Sequence, residues 1–289
     1  MPLTTKNKRK SKKNNKKKFS VYLLPLLAVG LTVIAGCACL TQTSIPSTVK
    51  EVRPGILQGY LPPDKAPNSM ILLPAPPAEN SAAFGADQEA FRTTRALVDT
   101  PRWAQAVRDA NIDFPEAPKA FSCALNAPIT KDDTPNLYML MHRSWTDAVV
   151  ATLAAKKKYN RIRPFKLNSE KSCTPDWEAK LVKDGSYPSG HTAIGWTWAL
   201  ILAEIAPERA DAILSRGFAY GQSRVICGVH WQSDVNAGRV LAAAVVAKLH
   251  SDPVFRAQLS AAKKEWAAAK AKGLKPSGDC KAEAAALAF

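Results

Sequence analysis

Residues His191 to Ile205 are apolar almost all the way round a helical wheel. A helix of this kind has no face to give to water, so it has to be buried on every side. It needs several other elements packed around it, and the rest of the chain supplies helices. Thr134-Pro135 opens a long one, since proline suits the first helical position. Leu137, Leu140, Met141, Trp145, Ala148, Val149 and Thr152 then recur at spacings of three and four and are expected to be buried. That helix ends near Lys156-Lys157-Lys158, where cations favour a C-terminus. Pro101 divides Ala82 to Ala110 into two pieces. Pro207 opens another helix, with Ala210, Ile213, Leu214, Phe218 and Gly221 expected inward. Ser233 to Leu249 carries Ala237, Val240, Leu241, Ala244 and Val245 on one side, and Asp252 to about Lys272 is amphipathic. No alternating strand pattern exceeds four residues, and nothing repeats at a fixed period. The expected fold class is all-α, a helical bundle around a buried central helix.

The first 36 residues read differently. Of the 289 residues, 40 are basic and 24 acidic, a formal charge of +16. Nine cations, from Lys6 to Lys18, lie in the first 18 positions with no acid among them. That leaves 31 basic against 24 acidic residues, or +7, for the remainder. Phe19 to Gly36 is uncharged and apolar, so residues 1–36 have the layout of an export signal. Ile34-Ala35-Gly36-Cys37 resembles the lipobox of bacterial lipoproteins, which implies lipidation at Cys37. A signal cleaved near Ala38 and an uncleaved anchor remain as alternatives; all three export the domain. No other segment is long and apolar enough to span a bilayer, which excludes a polytopic membrane protein. An apolar content of 46% excludes a disordered chain. Residues 37–80 are proline-rich and read as an extended tether and then a strap on the domain, without regular structure. Residues 81–289 form the expected helical domain.

Cys123, Cys173, Cys227 and Cys280 would meet an oxidising compartment after export. Three disulfide pairings are open to them, as are buried free thiols.

Three short stretches concentrate polar residues beside the helices. Lys156 is followed, seven positions on, by Arg163-Pro164. Gly185-Ser186-Tyr187-Pro188-Ser189-Gly190-His191-Thr192 leads into the apolar helix, whose free amides and dipole favour an anion. Gly190 lets a ligand approach the backbone closely. Ser223-Arg224 is followed by His230 and Asp234, and a carboxylate four residues from a histidine can fix its tautomer. Lys156, Arg163 and Arg224 supply three cations suited to a tetrahedral oxyanion. Two histidines, one orienting acid and three cations point to metal-free phosphoryl transfer. The chain has four histidines, His142, His191, His230 and His250, with no His-x-x-x-His or His-Glu-x-x-His pair. Three cations would also repel a divalent ion. Tyr187, Trp196 and Trp231 either line a leaving-group pocket or belong to the core. Arg161 reads as a solvated neighbour of Arg163.

Lys-x6-Arg-Pro, Pro-Ser-Gly-His and Ser-Arg-x5-His-x3-Asp resemble the three-part signature of the type 2 phosphatidic acid phosphatase superfamily, which also holds vanadium haloperoxidases. The octapeptide from Gly185 to Thr192 resembles the narrower signature of class A bacterial nonspecific acid phosphatases. The similarity runs from about Leu72 to about Leu259.

The resemblance implies that His230 is the nucleophile, that Asp234 orients it and that His191 is the general acid. It also implies that Lys156, Arg163, Ser189, Gly190 and Arg224 cradle the phosphoryl oxygens. The expected function is an exported, metal-independent acid phosphatase working through a phosphohistidine, with phosphotransfer to alcohols as a further activity. No cofactor and no metal are expected, and vanadate is an expected inhibitor. Expected partners are small-molecule phosphomonoesters, a lipid anchor in a membrane and further copies of the chain; nucleic acid is not. The expected location is the periplasm, free or as a membrane-anchored lipoprotein. Alternatives are a lipid phosphatase, a vanadate-dependent haloperoxidase and a non-enzymatic lipoprotein that binds polyanions.

Overall fold

The structure is a computed structural model and describes residues 43–288. Cys37 and the 1–36 segment lie outside the described residues. Helices of eight or more residues are α1 (Ala82–Thr94), α2 (Pro101–Arg108), α3 (Pro135–Tyr159), α4 (Gly190–Ile205), α5 (Ala210–Ile226), α6 (Gln232–Leu249), α7 (Pro253–Ala271) and α8 (Cys280–Leu287). The fold is all-α, and among the described residues the only sheet is a two-stranded hairpin. No helix among them is long and apolar enough to cross a membrane.

The apolar α4 is the centre, packed on by α3, α5 and α6. Its Ile194, Trp198, Ile201 and Leu202 are buried, and Trp198 Nε1 donates to the Met141 carbonyl of α3 at 2.9 Å. Small residues set how closely the helices approach. A Cβ at Gly195 would lie 2.2 Å from Tyr220 Cδ1 of α5. A Cβ at Gly238 would lie 2.7 Å from the Ser189 carbonyl oxygen, so a glycine lets α6 reach the N-terminus of α4. The Ser189 amide then donates to the Asp234 carbonyl at 3.0 Å. This contact brings two of the three polar stretches together.

Pro135 opens α3 as expected, and Glu265 of α7 accepts the free amides of Asn136 and Leu137, both at 3.0 Å. Asn160, left-handed at φ +38°, stops α3 just before Arg161. On α3, Leu137, Leu140, Met141, Ala148 and Thr152 are buried as expected. Trp145 and Val149 are only half-buried, because they wall a cavity. On α5, Phe218 is 51% exposed rather than inward. The inward face there is Ile213, Gly217, Tyr220 and Arg224, rotated from the apolar stripe because Arg216 and Ser223 turn in to the buried Asp109; Phe218 instead lies under the Arg239 guanidinium. Val240 likewise faces out, since α6 turns Ala237, Leu241 and Val245 to the core.

The strap is not free of regular structure. Glu51–Arg53 pairs antiparallel with Ile56–Leu57, because Pro54-Gly55 makes a tight turn with Gly55 at φ +73°. One turn of helix follows at Pro63–Lys65 and another at Ser69–Leu72. Asp147 of α3 fixes the strap, accepting the amides of Tyr60 at 2.9 Å and Leu61 at 3.0 Å. The cysteines pair as Cys123–Cys280 and Cys173–Cys227, which excludes the free-thiol alternative.

Candidate active site

One cavity of about 690 Å³ is walled by Lys156, Arg163, Gly190, His191, Arg224 and His230, among others. They come from five different turns or helix ends. Lys156 is in the last turn of α3; Arg163 follows the αL stop at Asn160. Gly190 and His191 open α4, Arg224 lies in the last turn of α5, and His230 directly precedes α6. Ser189 and Asp234 are fully buried behind these residues. Ser189 is the N-cap of α4: its Oγ accepts from the Thr192 amide at 3.3 Å and the Thr192 hydroxyl at 2.9 Å. Both bonds leave the Ser189 hydroxyl proton free to donate.

His230 precedes α6 rather than starting it, yet its ring still meets Asp234. Its Nδ1 lies 3.4 Å from Asp234 Oδ2, which also accepts the Trp231 amide at 2.8 Å. Its Nε2 lies 3.2 Å from Arg163 Nη1. Guanidinium only donates, so Nε2 carries the lone pair and Nδ1 carries the proton. Burial, with the charges of Arg163, Lys156 and Arg224, holds the His230 imidazole well below its usual range. The ring is neutral, and its Nε2 lone pair faces the Arg163 guanidinium. Burial pushes the Asp234 carboxyl up, and Arg161 opposes that shift.

His191 lines the same cavity. Its Nε2 lies 3.0 Å from the Ala110 carbonyl, which can only accept. The proton on Nε2 is therefore committed, and Nδ1 is the atom left to exchange one. Burial and the Arg224 charge hold His191 well below its usual value.

The three cations are held differently. Arg163 is pinned through Nε to the carbonyls of Leu181 (2.9 Å) and Asp184 (3.1 Å), and through Nη1 to Val229 (2.9 Å). Lys156 Nζ donates to the Gly185 carbonyl at 2.5 Å, and burial pushes it down to about 8. Arg224 is fully buried, yet its Nε and Nη1 have no partner among the described residues. Burial pushes it down to about 10. A buried guanidinium with orphaned donors costs stability unless an anion arrives to accept from them. The pocket is built for an oxyanion. Among the described residues no cluster of three or more His, Cys, Asp or Glu side chains has the arrangement of a metal site.

Residues 137–256 match the PAP2 superfamily. A non-specific acid phosphatase of Providencia stuartii is 49% identical over 209 residues, 72% of this chain and 84% of that protein. The chain belongs to the class A non-specific acid phosphatases of the PAP2 superfamily. A non-specific acid phosphatase of Salmonella typhi is 43% identical over 72% of this chain and 84% of its own length. An acid phosphatase of Zymomonas mobilis is 40% identical over 68% of this chain and 74% of its own.

Several residues of the phosphatase site carry no motif. Asp184 sets its Oδ2 3.0 Å from Lys156 Nζ and 3.4 Å from Arg163 Nη2. Arg161 is not a solvated neighbour: its side chain is 8% exposed and bridges Asp234 and Asp87 at 2.6 and 2.8 Å. It is the outer support of the Asp234–His230 pair. Ser223, although inside the third stretch, turns away from the cavity and donates to Asp109 at 2.6 Å. Tyr187, Trp196 and Trp231 do not line the cavity. Tyr187 donates to the Pro74 carbonyl at 2.8 Å, and Trp231 packs between Phe84 and Phe91. The walls carry Trp145 and Trp177 instead, both drawn from helix faces or turns that the motifs do not mark.

Proposed function

We propose that this acid phosphatase hydrolyses small phosphomonoesters by two displacements at phosphorus, with His230 as the covalent carrier and no metal. The observation that carries the reading is the neutral His230 Nε2 lone pair beside Arg163, in the same cavity as His191. Nε2 attacks phosphorus and a phosphorus–nitrogen bond forms. The ester oxygen leaves with the bonding pair and takes a proton from His191 Nδ1. His191 then accepts a proton from water as that water attacks phosphorus, and inorganic phosphate departs with His230 restored. An alcohol in place of water gives phosphotransfer. Asp234 holds the imidazolium-like ring as charge develops. Lys156, Arg163 and Arg224, with the Ser189 hydroxyl and the Gly190 amide at the start of α4, donate to the equatorial oxygens. Their combined positive charge disfavours a divalent cation in the same pocket.

The chain is exported, and lipid on Cys37 is the means of retention. Two disulfides support an oxidising compartment. Met70, Ile71 and Leu72, exposed together on the turn Ser69–Leu72 at 37%, 80% and 43%, support a homo-oligomer that covers them.

Acid-quenching the enzyme with labelled p-nitrophenyl phosphate tests the covalent step. Label is expected on His230, and His230→Ala should lose both label and turnover. Vanadate should compete with substrate and EDTA should not inhibit. Full turnover by the His230 variant, or loss on chelation restored by a divalent ion, overturns the reading.

A further inference from the structure

The catalytic cavity does not end at the phosphate cradle. A second hollow of about 400 Å³ adjoins it, and the two share Arg53, Ile56, Trp145, Val149 and Leu153. They form one trough between the outer face of α3 and the hairpin of residues 51–57. We propose that this trough is the leaving-group subsite and that it selects phosphomonoesters carrying an unbranched apolar chain on the ester oxygen. The inference rests on the phosphatase reading above and deepens it.

The register of α3 sets the direction. Trp145, Val149 and Leu153 repeat every four residues and the row ends at Lys156. At 1.5 Å per residue, the row from Trp145 to Lys156 is about 16 Å long. An ester bound with its phosphoryl group at Lys156 therefore has an apolar path along the helix for its alcohol. The path is incompletely covered in the free protein, with Leu153 52% exposed and Trp145 and Val149 half-buried. Removing that surface from water is favourable.

Most side-chain polar groups along the path are already committed, the exceptions being the exposed Arg53 and Gln58 and the buried Trp145 Nε1, which has no partner among the described residues. Thr146 Oγ1 donates to the Leu57 carbonyl at 2.6 Å, and Thr152 Oγ1 to the Val149 carbonyl of its own helix at 2.8 Å. Both Asp147 oxygens hold the Tyr60 and Leu61 amides. A hydroxyl-rich alcohol would find few partners beyond the Trp145 indole N–H and the exposed Arg53 and Gln58, and would lose more water than they replace in entering. The opposite wall, with Asp113, Asp176 and Lys180, is the route such an alcohol would take instead.

The experiment is a series of monoalkyl phosphates from ethyl to decyl, each below its micelle-forming concentration, against glycerol phosphate. In an open-sided trough, kcat/KM should rise about twofold per methylene, half the gain of full burial. The gain should lie in KM, since it is binding shared by ground and transition states. Leu153→Asp, at an exposed position that tolerates charge, should lower the decyl-to-ethyl ratio at least about tenfold. Calorimetry with decylphosphonate against ethylphosphonate reads the same preference without turnover. A flat series, a faster glycerol phosphate, or a slope unchanged in Leu153→Asp overturns the subsite while the phosphatase reading stands. Absence of turnover on every ester takes down both.

Discussion

The Asp184 carboxylate oxygen Oδ2 sits 3.0 Å from the Lys156 ammonium nitrogen, and the same oxygen is 3.4 Å from Arg163 Nη2. A carboxylate thus stands between two of the three cations of the cavity. The Asp184 side chain is 56% exposed and can swing away, whereas its backbone carbonyl stays bound to Arg163. An incoming phosphoryl group has to share or displace this internal anion. Asp184→Asn keeps an acceptor and removes the charge. It should lower the inhibition constant for inorganic phosphate about three- to tenfold, as expected for one screened, partly exposed charge. The assay belongs at pH 6, where Lys156, pushed down to about 8, remains protonated. Unchanged phosphate inhibition would remove Asp184 from this role.

Arg224 should show the opposite balance. It is completely buried with two orphaned donors, so the free protein bears its desolvation cost. Arg224→Met fills similar space without charge. It should stabilise the free protein by about 1–2 kcal/mol. Melting temperature should rise by about 3–6 °C. Activity should fall by about a hundredfold or more, because a transition-state donor is gone. Vanadate, which should stabilise the parent protein strongly, should stabilise the variant little. A variant that is both active and less stable would contradict the account.

The pH profile follows from His191. In the free enzyme burial and Arg224 hold it well below its usual value, so it is neutral where a general acid needs a proton. A bound phosphoryl dianion offsets the surrounding cations and raises it. The basic limb of kcat, which reports the bound enzyme, should therefore lie at higher pH than that of kcat/KM. The same depression affects stability. Between the folded values of His191 and His230 and the unfolded value of about 6.5, the unfolded chain binds more protons. These two residues should make stability rise as pH increases through that window, and phosphate should flatten the rise. A kcat limb below that of kcat/KM would overturn the assignment.

How much of this was legible beforehand depends on the physics behind each residue. The central helix was legible because His191 to Ile205 is apolar nearly all round, and such a helix can only be buried. The start of α3 was legible because Pro135 at a first helical position has one meaning. Lys156, Arg163, Gly190, His191, Arg224 and His230 gather because each sits at a helix end or a forced turn, and ends of packed helices can converge. Asp184 was not legible: it lies in an aperiodic turn and meets Lys156 28 positions away. Arg161 carried a weak signal as the neighbour of Arg163, but its partner Asp87 is 74 residues distant on α1. Phe218 and Val240 were misplaced because apolar periodicity assumes an apolar inward face. On α5 that face includes Arg216 and Arg224, and Arg216 is satisfied by Asp109 and Glu283.

The two disulfides should differ in what they protect. Cys123–Cys280 fastens α8, which also packs on α2, buries Ala286 and pairs Glu283 with Arg216 at 3.0 Å, and none of these residues lines the catalytic cavity. Cys173–Cys227 lies against the turn that delivers His230. The Cys173 amide donates to the Cys227 carbonyl at 2.9 Å, and the Phe165 amide to the Gly228 carbonyl at 2.9 Å. Gly228 is left-handed at φ +77°, and Val229, next in the chain, accepts from Arg163. Loss of either crosslink should cost about 2–4 kcal/mol of stability. Removing Cys123 and Cys280 together, each as alanine, should lower the melting temperature and keep kcat within about twofold, since no cavity residue is attached there. Removing Cys173 and Cys227 should lower kcat about tenfold or more below the melting transition, since a shift near 1 Å at His230 spoils in-line attack. Steady-state kinetics on the two double variants, taken well below their melting temperatures, decides this. Equal kcat in both would mean that the Arg163 contacts alone hold the His230 turn.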